Sequence, residues 1–289
     1  DKGEKADGKL FYKNVLALNL RNSIFVDNTA NEEVAMSYKD YLKQSIAVVC
    51  CNKIACSSDI KNYQELKKLS REFQTPFLFE TNVGAGLPII DTLKHLIASG
   101  DRIHKIRAVL SGSLNFVFNN FDDKISFVEV VKRAQEEGYT EPDPKIDLSG
   151  VDVMRKILIL ARESGYDLDI SDIRNESFLP ADSLKTQNNE DFYKALEKEE
   201  ESFQELYTQA LTRESKLKYV AEFENGNAKV GLEYIPKGHD FYHLEGSDNI
   251  VLFYTDRYPK QPLIIKGAGA GADVTASGIF ADIIRIGNF

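Results

Sequence analysis

Tryptophan is absent from the 289 residues, and methionine (two), cysteine (three) and histidine (four) are scarce. Cys50, Cys51 and Cys56 are odd in number, and their spacing is not that of a zinc ribbon. The first two end an apolar run, which reads as buried thiols of a reducing cytoplasm. All four histidines lie far from them in sequence, so nothing marks a Cys–His nucleophilic pair. An excess of positive charge is also missing. Lys and Arg number 36 against 45 Asp and Glu, a net charge of -9, which argues against nucleic acid or an anionic membrane as the main partner. No apolar run approaches the roughly 20 residues that span a bilayer. The polar opening "DKGEKADGKL" has no signal-peptide pattern. Internal repeats are lacking, as is low complexity beyond the first ten residues.

What is present is a soluble, globular composition, 43% hydrophobic and 28% charged, long enough for roughly two domains. After an opening without periodicity, residues 23–83 alternate. "SIFVDNT" reads as a strand, and Val34, Tyr38, Tyr41 and Leu42 fall at helical spacing. "SIAVVCCNK" is a strand buried on both faces. Ser58 is placed to cap a helix with Ile60, Tyr63, Leu66 and Phe73 on one face, and "TPFLFETNV" is the next strand. Strand–helix–strand–helix–strand implies a parallel sheet, half of a doubly wound nucleotide domain.

From residue 87 the character changes. Pro88 opens a helix and Gly100 ends it; "HKIRAVLSG" is a strand. Ser126 and Glu129 form a capping box for a helix stopped at Gly138. A long apolar helix precedes Gly165, acidic helices cover 186–216, and Asn225-Gly226 marks a hairpin between later strands. The expected architecture is α/β: a partial doubly wound, Rossmann-type domain (1–86 with 268–289) and an α+β domain with a mixed sheet (87–267).

Chemistry concentrates in "GYTEPDPKIDLSGVDVMRK", residues 138–156. Two prolines hold an extended turn carrying Glu141 and Asp143, and Asp147 follows. Asp152 and Lys156, four apart, share one helix face. By spacing alone this is as much a surface ion pair as a site. A carbonyl under reduction needs a proton donor, which a lysine beside an acid supplies, and an ammonium-bearing substrate needs a carboxylate such as Glu141.

"ETNVGAGLP", "LSGSLN", "GYTEPDPKIDLSGVDVMRK" and the terminal "GAGAGADVTASGIFADIIR" together resemble homoserine dehydrogenase, most of all the dehydrogenase half of bifunctional aspartokinase–homoserine dehydrogenases. The resemblance implies NAD- or NADP-dependent interconversion of L-homoserine and L-aspartate 4-semialdehyde. It makes Lys156 the general acid/base, with Asp152 and a second lysine, Lys53, beside it. Glu141 and Asp147 join Asp152 and Lys156 in the substrate pocket. Thr29, Lys53, Gly269, Ala270 and Gly271 fall on cofactor-contacting positions. Backbone carbonyls of Glu80, Val83, Ala85 and Leu87 would hold a monovalent cation such as sodium. A homodimer, an upstream aspartokinase and a cytoplasmic setting are also implied. "LSGSLN", Ser111 to Asn115, is a turn of either the pocket or a strand end.

The sequence departs from the family in one respect. Its early G-x-G-x-x-G strand and the ribose-binding acid after it are not here, so the expectation is a piece lacking the front half of the nucleotide domain and binding NAD(P) poorly. The terminal glycines match the fingerprint only as a string, since no strand follows. They read as the segment returning from the substrate domain, with Ala276, Phe280, Ile283 and Ile284 packed onto the sheet. Two other readings stand beside this one. The first is a semialdehyde dehydrogenase using a cysteine thiolate; the second is an inactive fragment serving only for dimerisation and substrate binding.

Overall fold

The computed structural model describes residues 6–288. Its first element is a helix, α1 (Gly8–Leu18), where the sequence shows no periodicity. Asp7 caps it by accepting from the Lys9 and Leu10 amides, and it ends on left-handed Asn19. It buries no residue completely and leans on the layer beneath through Tyr12, edge-on to Tyr41. Phe11, Val15 and Leu16 join Tyr12 in that contact.

Beneath lies a parallel three-stranded sheet in the order β1 (Ile24–Asp27), β2 (Ala47–Cys50), β3 (Phe77–Leu78). Parallel neighbours need crossovers. These are α2 (Glu32–Met36) and α3 (Tyr38–Lys43), then α4 (Ile54–Ser57) and α5 (Ile60–Glu72). The cap of α5 is Asp59, not Ser58: its carboxylate takes the Lys61 amide at 2.8 Å, while the Ser58 hydroxyl donates back to the Ala55 carbonyl. After β3 a single 3-10 turn, Glu80–Asn82, leads into α6 (Ile89–Ala98). The Glu80 carboxylate caps that helix, accepting from the amides of Ile90 and Asp91 at 2.7 and 2.8 Å.

The second sheet is mixed. Its first strand in the chain is β4 (Ile103–Val109). After β4 come α7 (Gly112–Asn120), α8 (Phe127–Glu136), α9 (Pro144–Leu148) and α10 (Val151–Glu163). Next are β5 (Ile173–Glu176), α11 (Asn189–Glu197), α12 (Glu200–Thr212), and strands β6 (Ser215–Glu224), β7 (Asn227–Pro236), β8 (Asp248–Thr255) and β9 (Leu263–Ala268). The order is β5-β7-β6-β4-β8-β9, with β5 parallel to β7 and the other pairs antiparallel. Asn225 and Gly226 both adopt positive φ, as a two-residue hairpin requires. The capping box of Ser126 and Glu129 forms as read. "LSGSLN" is not a turn: Ser111 caps α7 by accepting the Leu114 amide.

α10 is the helix on which the two layers meet. Its Ile157, Leu158, Ile159 and Leu160 are fully buried, each stabilising the fold by about 1.5–3 kcal/mol. At its end the buried Arg162 guanidinium donates to the carbonyls of Cys56, Ser58 and Leu168. Glu163 beside it accepts from Lys67 at 2.9 Å and from the Tyr63 hydroxyl.

The last helix, α13 (Ala272–Gly287), returns to β2 and the Glu80–Asn82 turn. Its packing face is not Ala276, Phe280 and Ile284, which are exposed, but Gly278, Ile279 and Asp282, with Ile283 half-buried. Gly278 permits the approach, since a Cβ there would lie 2.6 Å from Thr81 Cγ2. Asp282 accepts the Glu80 amide at 3.1 Å. No helix among the described residues is long and apolar enough to cross a membrane.

Candidate active site

The segment between α8 and α10 is built to present acids. Gly138 has positive φ and lets the chain leave α8. Asp143 is used locally, capping α9 through the Lys145 amide, with Pro144 at the first helical position. Left-handed Gly150 then starts α10 with Asp152 in its first turn. A Cβ on Gly150 would meet the Tyr219 hydroxyl at 2.1 Å, so α10 seats directly on β6.

A cleft of about 570 Å³ opens where the two layers meet. Lys53, Glu141, Asp147, Asp152 and Lys156 all line it, as do Gly269, Ala270 and Gly271 on the opposite side. Lys53 arrives from the end of β2, where parallel sheets bind ligands. At the centre the Asp152 carboxylate bridges two lysines, Lys156 Nζ at 2.8 Å and Lys53 Nζ at 3.3 Å. Lys156 is buried, and its remaining contact is a 2.7 Å bond donated to the Leu110 carbonyl.

The electrostatics follow from this arrangement. Burial pulls the Lys156 amine below the ordinary lysine value; Asp152 opposes that, and Lys53 reinforces it. Burial works against ionised Asp152, but the two ammonium groups outweigh it and hold its carboxyl well below the usual range. Burial pushes Asp147 up, against the bonds it accepts. Both Asp147 oxygens are engaged, one by the Ser113 hydroxyl at 3.2 Å and the other by the Glu141 amide at 2.9 Å. Asp147 therefore holds the Glu141 backbone in place, while the exposed Glu141 side chain makes no hydrogen bond among the described residues. Of the four acids of this segment, Asp143 is the one outside the cleft lining.

Thr29 does not line the cleft. It sits at the exposed tip of β1, its amide on Asp27 and its hydroxyl accepting from Asn31. Sequence reasoning missed Cys51, Thr81, Tyr139, Ser247 and Thr275, which do line it. Ser247 comes from the loop ahead of β8, where no local motif marks it. The thiolate reading fails on the geometry. Cys50 and Cys56 are buried, burial raises both the Cys50 and the partly exposed Cys51 thiol, and no histidine lines the cleft.

The glycine loop has the shape of a backbone cradle. A Cβ at Gly269 would lie 2.0 Å from Asn249 Cγ, so only glycine lets this strand end approach so closely. Gly271, at φ 115, starts α13 without a side-chain cap, leaving the first helical amides at the cleft without a side-chain partner. Such amides suit an electron-rich carbonyl or phosphate. In the 80–87 loop, left-handed Ala85 follows left-handed Gly84. Among the described residues the Val83 and Ala85 carbonyls accept no hydrogen bond, whereas Glu80 and Leu87 carbonyls accept from Val83 and Ile89.

A parallel-sheet layer, a mixed-sheet layer and a lysine–carboxylate cleft between them define an α/β protein with its candidate site where the layers meet. The homoserine dehydrogenase model matches residues 88–284, and the model for its NAD binding domain matches 2–80. The chain belongs to the homoserine dehydrogenase family. It is 43% identical over 270 residues to bifunctional aspartokinase/homoserine dehydrogenase 2 of Zea mays, covering 93% of this chain and 29% of the maize protein. With homoserine dehydrogenase of Schizosaccharomyces pombe it shares 40% over 272 residues, 91% of this chain and 72% of the yeast one. The chain thus spans about a third of the length of the bifunctional relatives it matches. A Candida auris protein of unknown function superposes with a TM-score of 0.92 at 37% identity, over 99% of this chain and 82% of that one. A hyperthermophilic archaeal homoserine dehydrogenase in complex with NADPH gives 0.70 at 26%, over 92% and 71%.

Proposed function

We propose that the cleft interconverts L-homoserine and L-aspartate 4-semialdehyde with NAD or NADP. The observation that carries this is the buried Lys156 amine, held by Asp152 in a cleft shared with the glycine loop. In the oxidative direction neutral Lys156 takes the proton of the substrate hydroxyl. The C–H bond of the same carbon breaks with its electron pair, and the carbonyl forms. In the reverse direction the Lys156 ammonium returns that proton to the aldehyde oxygen. Bound NAD(P) supplies the hydride acceptor or donor; Gly269–Gly271 and Lys53 are the residues to hold it, with Thr29 at the outer rim. Asp152 keeps Lys156 oriented and contacts the reacting end of the substrate. Glu141 takes the substrate ammonium, as a charge-assisted bond to an exposed carboxylate allows.

Residues 1–86 with 268–289 form the nucleotide side in this reading, and 87–267 the substrate and dimerisation side. The return of α13 to β2 supports that division. The free Val83 and Ala85 carbonyls, with those of Glu80 and Leu87, fit a monovalent cation that would stiffen the loop below the cleft. The direct test is homoserine-dependent reduction of NADP or NAD, followed at the nicotinamide absorbance. Lys156→Ala is expected to lower kcat by about 10²–10⁴-fold with an unchanged far-UV spectrum. Near-normal turnover in that variant would refute the proton-transfer role.

A further inference from the structure

Lys218, on β6, is fully buried, and no carboxylate among the described residues contacts it. Its amine donates instead to three oxygens, Asn115 Oδ1 at 2.8 Å, Asn119 Oδ1 at 2.6 Å and the Leu244 carbonyl at 2.5 Å. An ammonium has three N–H donors, so the set is complete. The asparagines then use their own amides on the same segment. Asn115 Nδ2 donates to the Gly246 carbonyl at 2.9 Å and Asn119 Nδ2 to the Leu244 carbonyl at 3.2 Å. Lys218 is thus the hub of a network joining α7 to residues 244–246.

Both joined pieces are walls of the cleft. α7 begins with Ser111, Gly112 and Ser113, and Ser247 follows the clamped segment; all four line it. They touch at Gly112, where a Cβ would lie 3.1 Å from both Ser247 Cβ and its carbonyl oxygen. We propose that Lys218 is a positioning residue for the substrate side of the cleft, fixing the first turn of α7 against Ser247 from behind. This rests on the dehydrogenase reading given above. Burial and nearby Lys216 push the Lys218 amine down to about 7, with Lys266 adding to this and Glu245 opposing it. A methionine of similar volume would join the adjoining apolar cluster of Val220 and Leu244 without that desolvation. Keeping an amine there makes sense for geometry rather than for stability.

The test is Lys218→Met in the full-length protein. Its expected result is a KM for homoserine raised about tenfold with kcat within about threefold, together with faster amide exchange at 244–249. Asn119→Ala, at the partly exposed rim of the network, should move KM the same way by about threefold, and it covers the case that Lys218→Met does not fold. A lower melting temperature with KM unchanged in either folded variant overturns the proposal, because a purely structural lysine would act in that way. Calorimetric titration of homoserine separates this failure from that of the activity. Wild-type protein that binds homoserine without turnover refutes the dehydrogenase reading and leaves Lys218 to be judged on Kd. Wild-type protein that does not bind it overturns both.

Discussion

Lys53 and Lys156 hold opposite oxygens of one carboxylate, Asp152, although one comes from the end of a parallel strand and the other from the helix between the layers. Asp152 is therefore a bridge, and the carboxylate and its far partner Lys53 act oppositely on the Lys156 amine. Asp152 raises the proton affinity of Lys156 and Lys53 lowers it.

That opposition sets a pH test. In the proposed oxidation of homoserine Lys156 acts in its neutral form, so kcat/KM should rise with pH along a limb below the ordinary lysine value of 10.5. Asp152→Asn removes a raising influence, and the limb should move to lower pH. Lys53→Met removes a lowering one, and it should move to higher pH. Shifts in the same direction would contradict the assignment of the limb to Lys156.

Glu141 and Asp147 should part in their kinetics. Glu141→Gln removes only a free carboxylate, so KM for homoserine should rise about tenfold with kcat within about threefold. Asp147→Asn loses an acceptor from a site where both oxygens are engaged. It should raise KM too and also lower stability by about 1–2 kcal/mol, measured by urea titration.

Gly269→Ala places a methyl 2.0 Å from Asn249 Cγ, so one of the two segments must shift. Overpacking of this kind costs about 1–3 kcal/mol. Since the loop is the proposed cofactor cradle, the Kd for NADPH should rise while homoserine binding is spared. Fluorescence titration with NADPH reads the change directly, and unchanged affinity would remove Gly269 from the cofactor site.

Glu80 gives a stability signature. Burial and neighbouring Asp91 push its carboxyl from 4.5 up to about 7, against the two helix amides it accepts. The folded state then binds a proton between those values that the unfolded state has released. Its contribution is complete below about 4.5 and is lost as pH rises to about 7. Glu80→Gln should be less stable at pH 5 but show a shallower decline in Tm between pH 5 and 8. A decline of equal steepness would place the titration elsewhere.

The elements most legible in the sequence are those with a local chemical marker. Asn225-Gly226 turns the hairpin, Ser126 and Glu129 cap α8, and the spacing of Asp152 and Lys156 puts them in one cleft. The misreading of α13 has a different cause, packing through residues that carry no apolar signal. α13 rests on Gly278 and buried Asp282, so its bulky Phe280 and Ile284 point outward. Ser247 lines the cleft and Lys218 lies behind it because β6 and β8 flank β4 in the sheet, a relationship set by long-range pairing and not by spacing along the chain.

α10 is fastened at both ends to the parallel-sheet layer, through Asp152 to Lys53 and through Arg162 to the carbonyls of Cys56 and Ser58. It serves as the axle of the molecule. The two layers cannot part along it without breaking the Lys53–Asp152 contact and baring a guanidinium. A ligand therefore enters a cleft whose two walls are already joined along α10, with the segment before β8 tied to α7 as well.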